Sequence, residues 1–274
     1  MKRTILTGLA AIGAGVMCLM AQAPPPAKGA APGGMPVAKA PKAQSKSELE
    51  AWNALVAVVN DPDKAIAAAE HLITKYADSE FKTIALEIEA DAYQRKGDTD
   101  HMVIFAERVL EGSPQDSQAL LMLAKYYAGH TRENDLDREE KLGKAEKYAN
   151  QVIDMMKTLP KPNPGLTDEQ WTEAKKDTTA EGYNAIGLAN LTRKKYDVAA
   201  AAFKSAVDAN SQPEPAYMVR EASALQAGGK NDEAIALVDK LTAIPNVHPQ
   251  IKSVAAAIRA AAVKAGGKAP GEAK

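Results

Sequence analysis

The chain has 274 residues, 5% aromatic residues, abundant alanine and a formal net charge of −1. A core with so few large rings must be packed from small side chains, and the high helix propensity of alanine favours an all-α protein. Between residues 47 and 265, 26 Lys and Arg face 34 Asp and Glu, and so acidic a body excludes nucleic acid as the expected partner. Cys18 is the only cysteine, which excludes a disulfide framework and a thiolate metal site.

Residues 1–23 are typical of a secretory signal peptide. Lys2 and Arg3 form a positive start, a mostly apolar run follows, and residues 21–23 read Ala-Gln-Ala. Pro24 is a poor residue directly after a cleavage site, so the position of the cut stays open. We therefore expect an exported protein, periplasmic or extracellular, in a bacterial envelope.

Residues 24–46 have the composition of an extended, solvated linker. They contain six prolines and no apolar periodicity. Their charges are all positive and come from Lys28, Lys39, Lys42 and Lys46. Two hypotheses stay open: a solubilising spacer, or a peripheral contact with an anionic membrane surface or a cell-wall polymer.

From residue 45 onward the chain carries repeated helix signals. Four sites place a Ser, Thr or Asp where its side chain satisfies free backbone N–H groups at a helix start. They are Ser45 with Glu48, Asp61 with Pro62, Thr167 with Gln170, and Ser211 with Glu214. Prolines break the helical pattern at residues 159–167 and 245–249. A last helix is expected to bury Ile251, Val254, Ala255, Ile258 and Ala262.

Residues 180–213 form one helix–turn–helix unit with a distinctive order of large and small side chains. Its pattern residues are Tyr183, Ile186, Gly187, Ala199, Phe203 and Ala206. This pattern resembles the tetratricopeptide repeat (TPR), whose period is about 34 residues. The position that begins each second helix recurs at Ala65, Met102, Ala145, Ala199 and Ala234. The alternative is a generic alanine-rich helical bundle, which would not keep these positions in step.

The resemblance implies an all-α solenoid of about five TPR-like helix pairs over residues 47–265, closed by a C-terminal capping helix and followed by a disordered tail at residues 266–274. The step from Ala145 to Ala199 is longer than one period. We expect a helical hairpin at about residues 155–179, with Trp171 against Met155, Met156 or Leu159. Trp171 would then either staple the hairpin or belong to a second docking surface.

In the TPR family the first helix of each pair lines a concave groove that holds a peptide or helix of another protein. The resemblance assigns eleven positions of this sequence to such a groove. They are Glu87, Asp91, Gln94, Leu121, Lys125, Asn184, Leu188, Leu191, Val219, Ser223 and Gln226. Some family members clamp a partner's C-terminal carboxylate with Lys, Asn and Arg. Asn184 and Arg220 match a fragment of that clamp, but its Lys position holds Asn184, so we do not expect the clamp.

No catalytic, metal or cofactor motif accompanies the repeats. The four histidines are scattered without metal-ligand spacing, and residues 134–137 lack the glycine turn of a calcium loop. We expect a non-enzymatic scaffold without cofactors that binds a protein or peptide. The alternatives are a membrane- or wall-tethered structural protein, a regulatory subunit of an envelope complex, and a hydrolase whose site the sequence does not reveal.

Overall fold

The computed structural model describes residues 41–162 and 165–268. Within these residues the chain forms eleven α-helices and no strand, which confirms the all-α prediction. The helices are α1 (Lys46–Val58), α2 (Pro62–Lys75), α3 (Lys82–Lys96), α4 (Thr99–Gly112), α5 (Ser117–His130), α6 (Arg138–Thr158), α7 (Asp168–Thr192), α8 (Tyr196–Ala209), α9 (Pro215–Ala227), α10 (Asn231–Thr242) and α11 (Pro249–Lys264). The predicted signal peptide, most of the predicted linker and residues 269–274 of the predicted tail lie outside the described residues. None of the described helices combines the length and apolar character needed to span a membrane.

The described chain divides into two compact units, and the chain passes between them within α5, directly after α6 and within α7. Unit 1 comprises the described residues up to Ala119 together with those from Pro160 to Trp171. Unit 2 comprises residues 120–159 and the described residues from Thr172 onward.

Three of the four predicted helix starts are confirmed. The N–H of Glu48 donates to Ser45 Oγ at 3.1 Å, and the N–H of Lys64 donates to Asp61 Oδ1 at 3.3 Å with Pro62 in the first turn of α2. At the start of α7, Thr167 and Gln170 exchange two bonds of 2.9 and 3.1 Å between side chain and backbone. Each of these bonds satisfies a donor that the first helical turn leaves free.

The fourth predicted helix start, at Ser211 with Glu214, is wrong. Glu214 is extended (φ −115°, ψ 98°) because the ring of Pro215 disfavours a helical residue before it. The helix therefore begins at Pro215, and the carboxylate of Glu214 caps it by accepting from Ala216 N at 3.0 Å. The N–H of Ser211 donates instead to Asp177 Oδ1 at 2.9 Å.

The core of unit 1 is built around two stacked rings. Trp52 and Phe81 lie with their centroids 4.5 Å apart, and both side chains are buried. Apolar residues of α1, α2 and α3 complete this cluster, chiefly Leu55, Ala65, Ala69, Leu72, Ala85 and Ile88. Gly97 ends α3 in a left-handed conformation (φ 74°) that residues with a side chain rarely adopt. This conformation turns the chain directly into α4.

Unit 2 instead packs its helices on small residues. A Cβ added to Gly187 of α7 would come within 2.5 Å of the Phe203 ring on α8, so the two helices cross where the repeat pattern predicts. The five positions that begin second helices are all buried across the two units: Ala65, Met102, Ala145, Ala199 and Ala234. The repeat phase read from the sequence therefore agrees with the residues that are buried in the folded protein.

Helices α6 and α7 of unit 2 run antiparallel. A Cβ on Gly182 would lie 2.9 Å from Ile153, and Asn190 donates to Glu146 Oε1 at 2.7 Å. Later residues of α7 therefore contact earlier residues of α6. Trp171 is buried, but its predicted contact with Met155, Met156 or Leu159 stays a prediction.

The last helix differs from its prediction at one residue. Ala255, Ile258 and Ala262 are buried and α11 packs on α9 and α10, but Val254 is 46% exposed. A terminal helix has a neighbour on one side only, so a narrower stripe of it is covered than the periodicity suggests.

Candidate protein-binding surface

The first helices of unit 2 are joined through their side chains. Lys125 of α5 forms an ion pair with Glu181 of α7, and Arg220 of α9 donates to Asn184 Oδ1 of α7 at 2.6 Å. Helices α5, α7 and α9 are therefore neighbours. We call the eight predicted positions on them the first-helix face of unit 2: Leu121, Lys125, Asn184, Leu188, Leu191, Val219, Ser223 and Gln226.

Most of this face is half-buried. Leu121 and Asn184 are each 8% exposed, while the other six residues retain more accessible surface. Leu188 and Leu191 pack on one side against the cluster around Phe203, and Val219 packs against the cluster around Leu241. Their remaining apolar surface is open and held in place by the core behind it.

Charge is distributed unevenly over the first-helix face of unit 2. Lys125 is neutralised by Glu181. Arg220 has a neutral amide, Asn184, as its hydrogen-bond partner, and no salt bridge to it occurs within the described residues. Burial raises the pKa of the neighbouring Tyr217 phenol, which keeps the hydroxyl protonated. A hydroxyl and a guanidinium on this face can both donate to a carboxylate or a carbonyl.

Sequence reasoning missed Tyr217 and Glu181. Contacts between repeats, and not a sequence motif, set the environment of both residues. The only sequence signal for them was their position on the first helix of a repeat. The structure also places a lysine, Lys125, on the face that holds Asn184 and Arg220, although it lies one repeat before the position examined for the clamp.

The predicted residues of unit 1 lie on α3 and have a different character. Glu87 is hydrogen-bonded to Asp116, and burial together with that second carboxyl raises the pKa of Glu87 to about 8. Asp91 forms an ion pair with Arg95 at 2.8 Å, and Arg95 also donates to Val59 O at 2.8 Å at the end of α1. Gln94 is half-buried beside them on the same helix. This part of the predicted groove is thus polar and partly committed to holding its own unit together.

No described group of three or more His, Cys, Asp or Glu side chains is placed to hold a metal ion. His71, His101, His130 and His248 are all exposed, and two of them serve helix ends. His101 bonds to Asp98 at 2.8 Å at the start of α4, and His248 Nδ1 accepts from Gln250 N at 3.3 Å at the start of α11.

Neither a family model nor a curated protein matches this chain. Solved structures do match. PilW, described as a widely conserved type IV pilus biogenesis factor, aligns with a TM-score of 0.53 and 13% identity over 81% of this chain and 91% of its own. TTC0263, a thermophilic TPR protein of Thermus thermophilus, has a TM-score of 0.44 and 16% identity over 77% of this chain and 98% of its own. A tetratricopeptide repeat protein of Parabacteroides merdae has a TM-score of 0.45 and 14% identity over 80% and 88%. The likeness to PilW is one of fold, and the eleven described helices with their buried repeat positions make the fold of this chain a TPR-like α-solenoid.

Proposed function

We propose that this protein is a non-enzymatic scaffold that binds a peptide or an amphipathic helix of a partner protein on the first-helix face of unit 2. The observation that carries the proposal is the set of half-buried apolar side chains Leu188, Leu191 and Val219 beside Arg220. Apolar anchors fixed by a core and flanked by a charged donor have the composition of a peptide-binding surface.

The chemistry of the bound segment follows from the same side chains. Apolar residues of the segment would cover Leu188 and Leu191, and a carboxylate of the segment would accept from Arg220. Because Asn184 is neutral, it leaves the positive charge of Arg220 available to such a group. Lys125 contributes less because Glu181 already balances its charge.

We propose a bacterial envelope as the site of action. Two observations support this: the signal-peptide pattern of residues 1–23, and the likeness in fold to PilW, a pilus biogenesis factor. The alternative, a membrane- or wall-tethered structural or regulatory subunit of an envelope complex, takes its support from the lysines of residues 24–46. Cell fractionation with N-terminal sequencing separates the two, since a cleaved and freely extracted protein would contradict tethering through the N-terminus.

The binding proposal is tested with a partner isolated from envelope extracts and then purified. We expect Leu188→Glu and Arg220→Gln each to weaken its binding by at least about tenfold, because one removes an apolar anchor and the other a charge. Val198→Glu is the matched control, since Val198 is 50% exposed on α8 of the same unit and lies outside the face.

Circular dichroism and thermal melting must accompany these affinities, because Leu188 also contacts the core. Arg220→Gln removes no apolar contact, so its affinity for the partner still tests the proposal if Leu188→Glu unfolds. Full affinity of Arg220→Gln together with a folded, fully binding Leu188→Glu would exclude this face as the binding surface.

A further inference from the structure

Helix α11 follows the repeat pattern of a first helix, but no second helix pairs with it. Pro215 begins α9, and Pro249 begins α11 one repeat period of 34 residues later. Helix α11 packs on α9 and α10, the two helices of the preceding pair. No further helix follows it within the described residues. Helix α11 is therefore the first half of a sixth pair.

The small residue at which earlier pairs cross has a counterpart on α11. In α7, Gly187 faces the Phe203 ring of α8. In α9, Ala222 is buried in one cluster with Val238 of α10. Ala256 stands 34 residues after Ala222, yet it is exposed. A position that α8 and α10 cover in their own pairs is thus open on α11.

The exposed side of α11 is apolar over about three turns. A repeat array usually ends in a polar outer face, because its terminal helix has no neighbour to cover it. On α11, Arg259 is half-buried and bonded to Asp239 of α10 at 2.8 Å, so it does not supply that face. The exposed residues between positions 253 and 263 are all uncharged, and we call them the open face of α11: Ser253, Val254, Ala256, Ala257, Ala260, Ala261 and Val263.

The side chains of the open face favour contact with a helix over contact with lipid. Four of them are alanines, and the two valines are 46% and 48% exposed. Helices that lie on membranes present Trp, Phe or Leu, whereas alanine gains little on entering a bilayer. Small side chains instead let two helix axes approach closely, as Gly187 does under the Phe203 ring. In the preceding two pairs, a helix covers the equivalent position.

The stretch of chain around α11 is positively charged. Residues 240–268 include five Lys and Arg residues and no Asp or Glu. Asp239 is paired with Arg259, and Asp232 accepts from the backbone N–H of Lys268 at 2.7 Å. These two carboxylates do not balance the remaining lysines, so the surroundings of the open face attract negative charge.

Lys252 and Lys264 flank the open face at its two ends. Both are exposed, and no salt bridge to either occurs among the residues that the structure describes. They lie twelve residues apart, which is about 18 Å along the helix. If α11 of a second copy covered the face in an antiparallel arrangement, Lys252 of each copy would meet Lys264 of the other, and the like charges would repel. A helix with Asp or Glu at both ends of the contact would be attracted instead.

We propose that the open face of α11 binds an acidic α-helix of a partner protein, in the position that the second helix of a sixth pair would take. A large apolar residue of this helix lies over Ala256, as the Phe203 ring lies over Gly187. Carboxylates on either side of that residue pair with Lys252 and Lys264. The contact is separate from the first-helix face of unit 2 and leaves that face free.

The test begins with the photo-crosslinker p-benzoylphenylalanine at position 256 of the full chain, in envelope extracts. Position 201 is the matched control, because Ala201 is an exposed alanine on α8 of the same unit. Mass spectrometry identifies the crosslinked peptide. We expect an adduct specific to position 256, on a helical segment with Asp or Glu on both sides of a large apolar residue. Arg220→Gln should leave this adduct intact, because Arg220 belongs to the other proposed surface.

The crosslinked protein, once purified, is titrated with variants of the full chain. We expect Ala256→Arg to weaken binding by at least about tenfold, because it places a long cation where the two helices cross. Ala201→Arg should bind as wild type. Both variants should melt as wild type, since both positions are exposed.

A charge reversal tests the acidic character of the bound helix. Lys252→Glu combined with Lys264→Glu should weaken binding by at least about tenfold. Lys176→Glu combined with Lys195→Glu is the control, because it changes the net charge equally at exposed positions outside α11. The control should bind as wild type.

Four results would overturn the proposal. They are no adduct specific to position 256, an adduct with lipid or with a second copy of this chain, equal affinity of wild type and Ala256→Arg, and equal affinities of the two charge-reversed variants. Loss of the adduct in Arg220→Gln would assign the contact to the first-helix face of unit 2 and would overturn it as well.

Discussion

The two units use the same repeat but differ in charge. The described residues of unit 1 contain 9 Lys and Arg against 17 Asp and Glu, a net charge of −8. Those of unit 2 contain 20 against 17, a net charge of +3. The acidic character that the sequence assigns to the whole helical body thus belongs to unit 1.

The units also accommodate buried polar groups in different ways. In unit 1, Glu89 is fully buried with no hydrogen-bond partner for either oxygen, and burial raises its pKa to about 8. In unit 2, the side chain of Arg193 is only 10% exposed but forms ion pairs with Glu139 and Glu146. An isolated carboxyl stays neutral because ionisation without water or a partner is costly, whereas a paired charge persists. The same repeat architecture therefore tolerates both a neutral buried carboxyl and a buried ion pair. The stability that these two groups contribute should depend on pH in opposite directions.

The largest effect is expected at the single phenylalanine of unit 2. Phe203 is fully buried, and its ring fills the space over Gly187, a residue with no side chain that could collapse into a cavity. Phe203→Ala should lower the free energy of unfolding by about 3–5 kcal/mol. Phe105→Ala, at a half-buried ring of unit 1, is the control and should cost less. A loss below about 1 kcal/mol for Phe203→Ala in urea unfolding would contradict the small-residue core of unit 2.

A pH-dependent loss of stability is expected next, in unit 1. The folded-state pKa of Glu89 is raised from 4.5 to about 8, so the folded protein keeps a proton that the unfolded chain releases. Stability should therefore be fully present below pH 4.5 and decline as pH rises towards 8, by on the order of 3 kcal/mol at pH 7.

The Glu89→Gln variant has no proton to release and should lose less stability over this range. Urea unfolding of both proteins at pH 5 and pH 8 measures the difference. Parallel losses would show that Glu89 is not held neutral in the fold. Glu70 of α2, Arg108 of α4 and Tyr93 of α3 are the charged or titratable groups that influence it, and none of them changes in this variant.

A pair of glycine substitutions within unit 2 is expected to act in opposite directions. Gly187→Ala would force its Cβ into the Phe203 ring and should cost about 1–3 kcal/mol. Gly143 lies inside α6 with no atom within 4 Å of an added Cβ, so Gly143→Ala should stabilise by about 0.5–1 kcal/mol through helix propensity. Thermal melting of both variants checks this. A shift of the same sign for both would refute the assigned helix crossing.

The smallest effect concerns two ion pairs of unit 2 whose carboxylates, Glu139 and Glu133, are exposed. The guanidinium of Arg193 holds the pKa of Glu139 below its usual range, and Lys194 does the same for Glu133. A lowered folded-state pKa contributes stability above the unfolded value of 4.5 that is lost as pH falls below it. Glu139→Gln should therefore reduce the fall in melting temperature between pH 6 and pH 3. An unchanged fall would mean that solvent screens the pair completely.

Local patterns carried most of what could be predicted about the fold. Ser45, Asp61 and Thr167 cap helices because the side chain of each accepts from the backbone N–H three residues later, a spacing that any helix start reproduces. The repeat register at Ala65, Ala145, Ala199 and Ala234 was also predictable, since close crossings tolerate only small residues at these places. The fourth cap failed because the backbone restriction from Pro215 overrides the capping tendency of Ser211.

The candidate sites depend more on contacts between distant parts of the chain. The eleven groove positions follow from the family resemblance, and their role in binding stays a prediction. The charge state of this surface does not follow from sequence, because Lys125 lies 56 residues from Glu181 and Arg220 lies 36 residues from Asn184.

What the sequence by itself determined is thus the all-α repeat, its phase and most of its helix starts, all of which depend on neighbours within one or two turns. Only the tertiary structure decided which carboxyls are buried without a partner, which cations are neutralised, and that α11 presents an exposed apolar face. These properties depend on the distance between groups and on how much water reaches them. Helix packing sets both quantities, and residues far apart in the sequence contribute to each.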